Sequence, residues 1–356
     1  MNVGMAILYV VLLLVGFVLL VKGADFFVDG AAGIAKKLRV SSFIIGVTVV
    51  ALGTSAPEMA VTVIGAIGGE SGIIVGNITG SNIMNIFLIL GVSAVICKLP
   101  VEKSTRIIDL PFLIIISALF VIFGYFGGTF AWWEGLILLL LYCAFMGYTI
   151  MLATKQKKAQ LEQATAVSIT DANDGGEIQT PSGFFEKLKF GYERLQNKVW
   201  FLIVITLVGL GMVVGGAELV VMSAKYIAET VFKIPTEIVA LTVVAFGTSL
   251  PELVTSVSAA RKGDVGIATG NIIGSNIANI LLIGGLGAVC CGSSGLLFTT
   301  EGFISGLVAL FASVLIFASC WGKSKSIGRI AGIIMLLCLA AYYVFIFLNF
   351  YIFNLY

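Results

Sequence analysis

Ten stretches of roughly twenty predominantly apolar residues, each long enough to cross a bilayer, run through this 356-residue chain. They begin near Met5, Phe43, Gly72, Ile107, Ala131, Val199, Ile238, Val265, Gly302 and Ile327. No water-soluble core absorbs that much apolar sequence: 59% of residues are hydrophobic, 11% are charged, and mean hydropathy is +1.09. Lipid is therefore the solvent for most of the chain. In lipid the backbone must satisfy its own hydrogen bonds, and runs of this length do so as helices. The expected fold class is an all-α membrane protein of about ten transmembrane helices. The first stretch leads straight into Asp25 and Asp29 with no small-residue cleavage site, so it is expected to be retained.

Net charge is only +2, which argues against nucleic acid as a partner, yet Lys and Arg are distributed unevenly. With the amino terminus outside, Lys36, Lys37, Arg39, Lys98, Lys103, Arg106, the basic residues from Lys155 to Lys198, Arg261, Lys262, Lys323, Lys325 and Arg329 all face the cytoplasm. Lys225 and Lys233 alone fall outside, and Lys22 lies within the first span. The reverse orientation breaks the positive-inside rule in nearly every loop. Both termini are thus expected on the outer side of a plasma (cell inner) membrane, with the central loop cytoplasmic. The six cysteines sit in or beside apolar spans without metal-ligand spacing and read as small hydrophobes. Histidine is absent, which excludes a His-containing zinc site and a His-dependent triad.

The chain repeats itself. Thr48-Val-Val-Ala-Leu-Gly-Thr-Ser-Ala-Pro-Glu58 recurs as Thr242-Val-Val-Ala-Phe-Gly-Thr-Ser-Leu-Pro-Glu252. Gly76-Asn-Ile-Thr-Gly-Ser-Asn-Ile-Met-Asn-Ile86 recurs as Gly270-Asn-Ile-Ile-Gly-Ser-Asn-Ile-Ala-Asn-Ile280. Both pairs keep one offset, 248 − 54 = 275 − 81 = 194, as a duplicated unit requires. Each unit holds five expected spans, an odd number, so the second copy enters the membrane from the opposite side. Residues 1–153 form the first five-helix repeat, 154–198 a linker loop, and 199–356 the second, inverted repeat.

Both motif halves fall in mid-span, where Pro removes a helical hydrogen bond and a carboxylate is costly. Gly, Ser and Thr commonly line helix contacts in membranes, and a Pro kink is often purely structural. That reading leaves two midmembrane glutamates unexplained, since no Lys or Arg lies within a turn of Glu58 or Glu252. A bound cation explains them, with a protonated carboxyl as the competitor. Carbonyls released near Ala51, Thr54, Ala245 and Thr248, hydroxyls of Thr54, Ser55, Ser81, Thr248, Ser249 and Ser275, and the two carboxylates make an all-oxygen set. Hard ions such as Ca²⁺ take such ligands.

Gly-Thr-Ser-x-Pro-Glu followed by Gly-Ser-Asn-x-x-Asn, present twice, resembles the α-repeats of the sodium/calcium exchangers in the cation/calcium antiporter superfamily. The similarity covers about Gly46 to Val95 and Ala240 to Val289. The resemblance implies a prokaryotic-type antiporter that exchanges Na⁺ for Ca²⁺, three Na⁺ for one Ca²⁺. It also implies that Glu58 and Glu252 ligate Ca²⁺ with the carbonyls of Thr54 and Thr248. Ser55, Ser81, Ala245, Ser249 and Ser275 would then contribute to flanking Na⁺ sites, and Asn85 and Asn279 would line the central position. Many prokaryotic and potassium-dependent relatives carry Asp where this chain has Asn279, which weakens the case for K⁺ co-transport. The partners implied are the two ions and the bilayer, with no cofactor and no obligate protein partner.

Other polar residues carry blander readings. Asp25 and Asp29 are expected to end the first span, with Glu218 in the matching part of the sixth, as interfacial or helix-end groups. Asp109 is expected to open the fourth span, where a carboxylate suits a helix amino terminus. The run Asp171 to Glu177 misses the ligand spacing of a calcium-binding loop and reads as linker, and Phe184, Phe185, Leu188 and Phe190 among basic residues suit an interfacial helix. A calcium/proton antiporter would not need the many hydroxyls around the glutamates. An intramembrane protease would need a histidine partner or a Gly-x-Gly-Asp pattern, neither of which is present.

Overall fold

The structure, a computed structural model, describes residues 3–69, 71–168, 198–232, 245–321 and 325–353. The helices are α1 (Val3–Leu38), α2 (Ser42–Thr54), α3 (Ala56–Ile67), α4 (Ser71–Ile96), α5 (Thr105–Phe126) and α6 (Trp132–Ser168). In the second half they are α7 (Val199–Val231), α8 (Ala245–Thr248), α9 (Leu250–Lys262), α10 (Val265–Cys290), α11 (Thr300–Ser319) and α12 (Arg329–Phe353). Among the described residues eight helices are long and apolar enough to cross a membrane, and counting the pair α2–α3, bent by 46°, as one broken span gives nine. The expected seventh span starts near Ile238; its first residues lie outside the described ones, and α9 is its far half. The chain is an all-α multi-pass membrane protein built from two inverted five-helix repeats.

Two short strand pairs report on sidedness. β1 (Leu99–Pro100) pairs antiparallel with β4 (Ser326–Ile327), and β2 (Thr129–Phe130) pairs with β3 (Leu296–Leu297). Each pair joins a loop of one repeat to a loop of the other, and α5 separates β1 from β2, so the pairs lie on opposite sides of the bilayer.

Helices α4 and α10, which carry the second halves of the repeated motif, form the centre: 72% and 83% of their apolar windows are buried, against 11% for α1. Glycine lets them approach neighbouring backbones. A Cβ on Gly274 of α10 would stand 2.6 Å from the Val47 carbonyl of α2, and one on Gly46 would stand 2.8 Å from the Ile267 carbonyl. Thus α2 of one repeat lies directly against α10 of the other.

The same device joins α1 to α7. A Cβ on Gly23 would stand 2.6 Å from Met212 Cβ, and one on Gly216 2.8 Å from the Leu20 nitrogen. Small residues at such seams are what holds helices together in lipid, where no hydrophobic drive between them exists. Gly23→Leu is therefore expected to destabilise the protein by roughly 1–3 kcal/mol, the range for overpacked sites. Earlier loss of the monodisperse species on heating in detergent is the readout, and an unchanged profile would contradict the seam.

Three expectations are corrected. Of the two readings of Asp25 and Asp29, that of helix-end groups is excluded, because α1 continues to Leu38. Lys262 Nζ of α9 lies 2.7 Å from Asp29 Oδ1 and 3.5 Å from Asp25 Oδ1, while Ser258 Oγ donates to Asp25 Oδ1 at 2.8 Å. Asp109 is buried one turn inside α5 and makes no capping bond, because that helix begins at Thr105. The segment 154–198 starts as helix, α6 running through to Ser168. The Asp171–Glu177 run and the aromatic residues Phe184 to Phe190 lie outside the described residues.

Candidate ion site

The two repeated Pro-Glu pairs open helices after a break. Pro57 and Pro251 occupy the first turn of α3 and α9, where a missing N–H costs nothing. The residues before them, Ser55 (φ −81°, ψ 10°) and Ser249 (φ −88°, ψ 3°), leave helical geometry at matching positions. Glu58 and Glu252 follow in the first turn, where helix dipole and free N–H groups favour a carboxylate. Both glutamates are 1% exposed, and neither has a Lys or Arg partner among the described residues.

The two breaks meet. Ser55 Oγ of the first repeat donates to Glu252 Oε1 of the second at 3.0 Å, and Thr54 Oγ1 donates to Asn271 Oδ1 at 3.1 Å. Ser81 is buried, at 4% exposure.

Asparagines on α4 and α10 brace the breaks. Asn77 Nδ2 donates to the Glu58 carbonyl at 3.0 Å and to Thr62 Oγ1 at 3.2 Å. Its counterpart 194 residues on, Asn271, donates to Ser256 Oγ at 2.9 Å. Asn85 and Asn279 each sit at the start of a π-helical turn, Met84–Leu90 and Asn279–Ile283, a widening of the helix that recurs at functional sites.

Seven buried side-chain atoms of these motifs have no hydrogen-bond partner: Glu58 Oε2, Glu252 Oε2, Ser249 Oγ, Ser275 Oγ, Asn85 Oδ1, Asn276 Oδ1 and Asn279 Oδ1. All are oxygens. Buried polar atoms are normally satisfied, and seven left over in matching motifs need a common explanation. Two carboxylates with neutral oxygens fit a hard cation that takes about 6 to 8 oxygen ligands.

Not every expected carbonyl is free. Ala51 O accepts from the Ser55 N–H at 3.1 Å and from Thr54 Oγ1 at 3.4 Å. Ala245 and Thr248 bound the four-residue helix α8 at the second break. Asn77, Asn271, Asn82 and Asn276 also belong to the repeated motif, without being among the expected site residues. Their repetition was the available signal.

A sequence profile of the family described as sodium/calcium exchanger protein matches residues 8–151 and 201–348. The sodium/calcium exchanger MaX1 of Methanosarcina acetivorans is 35% identical over 94% of this chain and 97% of its own length. An uncharacterised membrane protein of Methanocaldococcus jannaschii is 36% identical over 93% and 96%, and the inner membrane protein YrbG of Escherichia coli is 32% identical over 91% and 92%. Among solved structures, one of the sodium-calcium exchanger NCX_Mj superposes with a TM-score of 0.75 at 33% identity, covering 94% of this chain and 98% of that one. With the profile matching both repeats and full-length relatives above 30% identity, the chain belongs to the sodium/calcium exchanger family.

Proposed function

We propose that the chain is a secondary active antiporter that exchanges Na⁺ for Ca²⁺ by alternating access. The observation that supports this most is a pair of buried glutamates without a cationic partner, together with five further unpartnered oxygens of the same motifs, where broken helices of both repeats approach. The named activities of MaX1 and NCX_Mj point the same way.

In this reading Glu58, Glu252 and the carbonyls of Thr54 and Thr248 hold Ca²⁺. Ser55, Ser81, Ala245, Ser249 and Ser275 flank it with Na⁺ positions, and Asn85 and Asn279 line the centre. Na⁺ and Ca²⁺ compete for the same two carboxylates, and that competition makes exchange obligatory. An empty site with two buried negative charges resists the change of face, because the change would carry uncompensated charge through a low dielectric. The positive-inside pattern puts both termini outside and the Lys262–Asp29 contact on the cytoplasmic side. The rival is a calcium/proton antiporter, in which protonation of a glutamate expels Ca²⁺. Proteoliposomes given a sodium gradient at equal pH, or a pH gradient at equal sodium, separate the two. Sodium-driven calcium flux is expected, and flux driven by pH alone would favour the rival.

Asn279→Asp would add a third carboxylate to a site with two. With that group ionised, monovalent ions are expected to bind more tightly, and K⁺ to begin competing with Na⁺. Half-saturating Na⁺ and K⁺ inhibition, measured across a range of pH, check this. Selectivity unchanged at every pH would contradict a place for Asn279 at the site.

A further inference from the structure

We propose that Asn82, which is not among the expected ion ligands, is a positioning residue that turns the Asn279 amide so that oxygen rather than nitrogen faces the site. The proposal rests on the cation-binding part of the reading above. An amide has an acceptor end and a donor end of nearly equal size. A cation is stabilised by the first and repelled by the second, so an unrestrained asparagine is an unreliable ligand. An ionised aspartate would need no such restraint, having no N–H to turn away.

The restraint is visible. Asn279 Nδ2 donates to Asn82 Oδ1 at 3.0 Å, and Asn279 Oδ1 is left buried without a partner. Both residues are almost fully buried, at 1% and 3% exposure, so water does not compete for the bond. Asn82 is itself oriented from across the repeat boundary, its Nδ2 donating to the Asn276 carbonyl of α10 at 3.4 Å.

The internal repeat supplies a control. Asn276, the counterpart of Asn82 in the second motif, donates instead to Ile272 O, one turn back in its own helix, at 2.9 Å. Its Oδ1 accepts from nothing, so Asn85, the counterpart of Asn279, has no matching clamp. Identical residues at equivalent positions therefore do different work, and the clamp belongs to the Asn279 side alone.

A double-mutant cycle on the purified full-length chain in detergent tests this, with Ca²⁺ binding read by calorimetry so that transport is not required. Asn82→Leu keeps the volume and removes the acceptor; Asn82→Ala serves if the leucine protein does not fold. Asn82→Leu is expected to weaken Ca²⁺ binding roughly tenfold, a step of ~1.4 kcal/mol, and Asn279→Ala by a similar factor. The double variant should bind no more weakly than Asn279→Ala alone, because each change removes the same oriented oxygen. A purely structural role for Asn82 would weaken binding again in the Asn279→Ala background, and multiplied effects overturn the proposal. So does wild-type affinity in Asn82→Leu. A wild-type chain that binds Ca²⁺ but shows no sodium-driven flux contradicts the exchange reading and leaves this result intact.

Discussion

Glutamine at position 58 or at position 252 is expected to abolish calcium transport in a protein that still folds. Each side chain is buried at a break between helices, and each is half of the site's formal charge. Removing one carboxylate leaves a single negative charge to balance a divalent ion, so the calcium-loaded form becomes a buried net cation. The same change relieves the folded protein of one costly buried charge when no ion is bound. Breaking a paired ion leaves an uncompensated charge and destabilises strongly, but in the proposed site the partner is an exchangeable ion rather than a fixed residue. Stability in ion-free buffer should accordingly equal or exceed that of the wild type. Calcium flux in proteoliposomes and thermal unfolding in detergent check the two halves separately. Wild-type flux in either folded variant would remove the glutamates from the site.

Voltage is the second large effect. With two negative charges on the protein, one Ca²⁺ gives a neutral site, and three Na⁺, the number implied by the family resemblance, give a charge of +1. The sodium-loaded crossing then moves one charge, worth ~2.3 kcal/mol per 100 mV if it traverses the full field. An inside-negative potential is expected to drive sodium inward and calcium outward, tilting the calcium ratio by roughly 50-fold at ~100 mV, since ~1.4 kcal/mol is a tenfold change. Vesicles clamped with valinomycin and K⁺ gradients measure this, once K⁺ itself is shown not to be carried. Sodium-dependent flux indifferent to the clamped potential would instead mean an electroneutral exchange of two Na⁺ for one Ca²⁺.

The spans, the inversion and the two glutamates were legible in the sequence because each is local. A hydrophobic run, an offset of 194 residues and a Pro-Glu pair in mid-span need no knowledge of what lies opposite. The partners were not legible. Nothing in the chain order says that Ser55 serves Glu252 rather than Glu58, three residues away, or that Thr54 meets Asn271. The second contact exists because glycines let α2 and α10 approach across the repeat boundary. The partner of Asp25 and Asp29 was hidden for the same reason, since Lys262 lies more than two hundred residues later in the chain. The divergence of Asn82 from Asn276 is a still plainer case, since the two motifs are alike there and only packing separates their roles.

Uptake of ⁴⁵Ca²⁺ into sodium-loaded proteoliposomes containing the purified chain tests the central claim most directly. On dilution into sodium-free buffer, with pH and potassium equal on both sides, calcium should accumulate against its gradient. Equalising sodium across the membrane should abolish that accumulation, and Glu58→Gln and Glu252→Gln should show none. Calcium accumulation that persists without a sodium gradient, or its absence in vesicles that hold folded wild-type protein, would contradict sodium/calcium exchange at the paired glutamates.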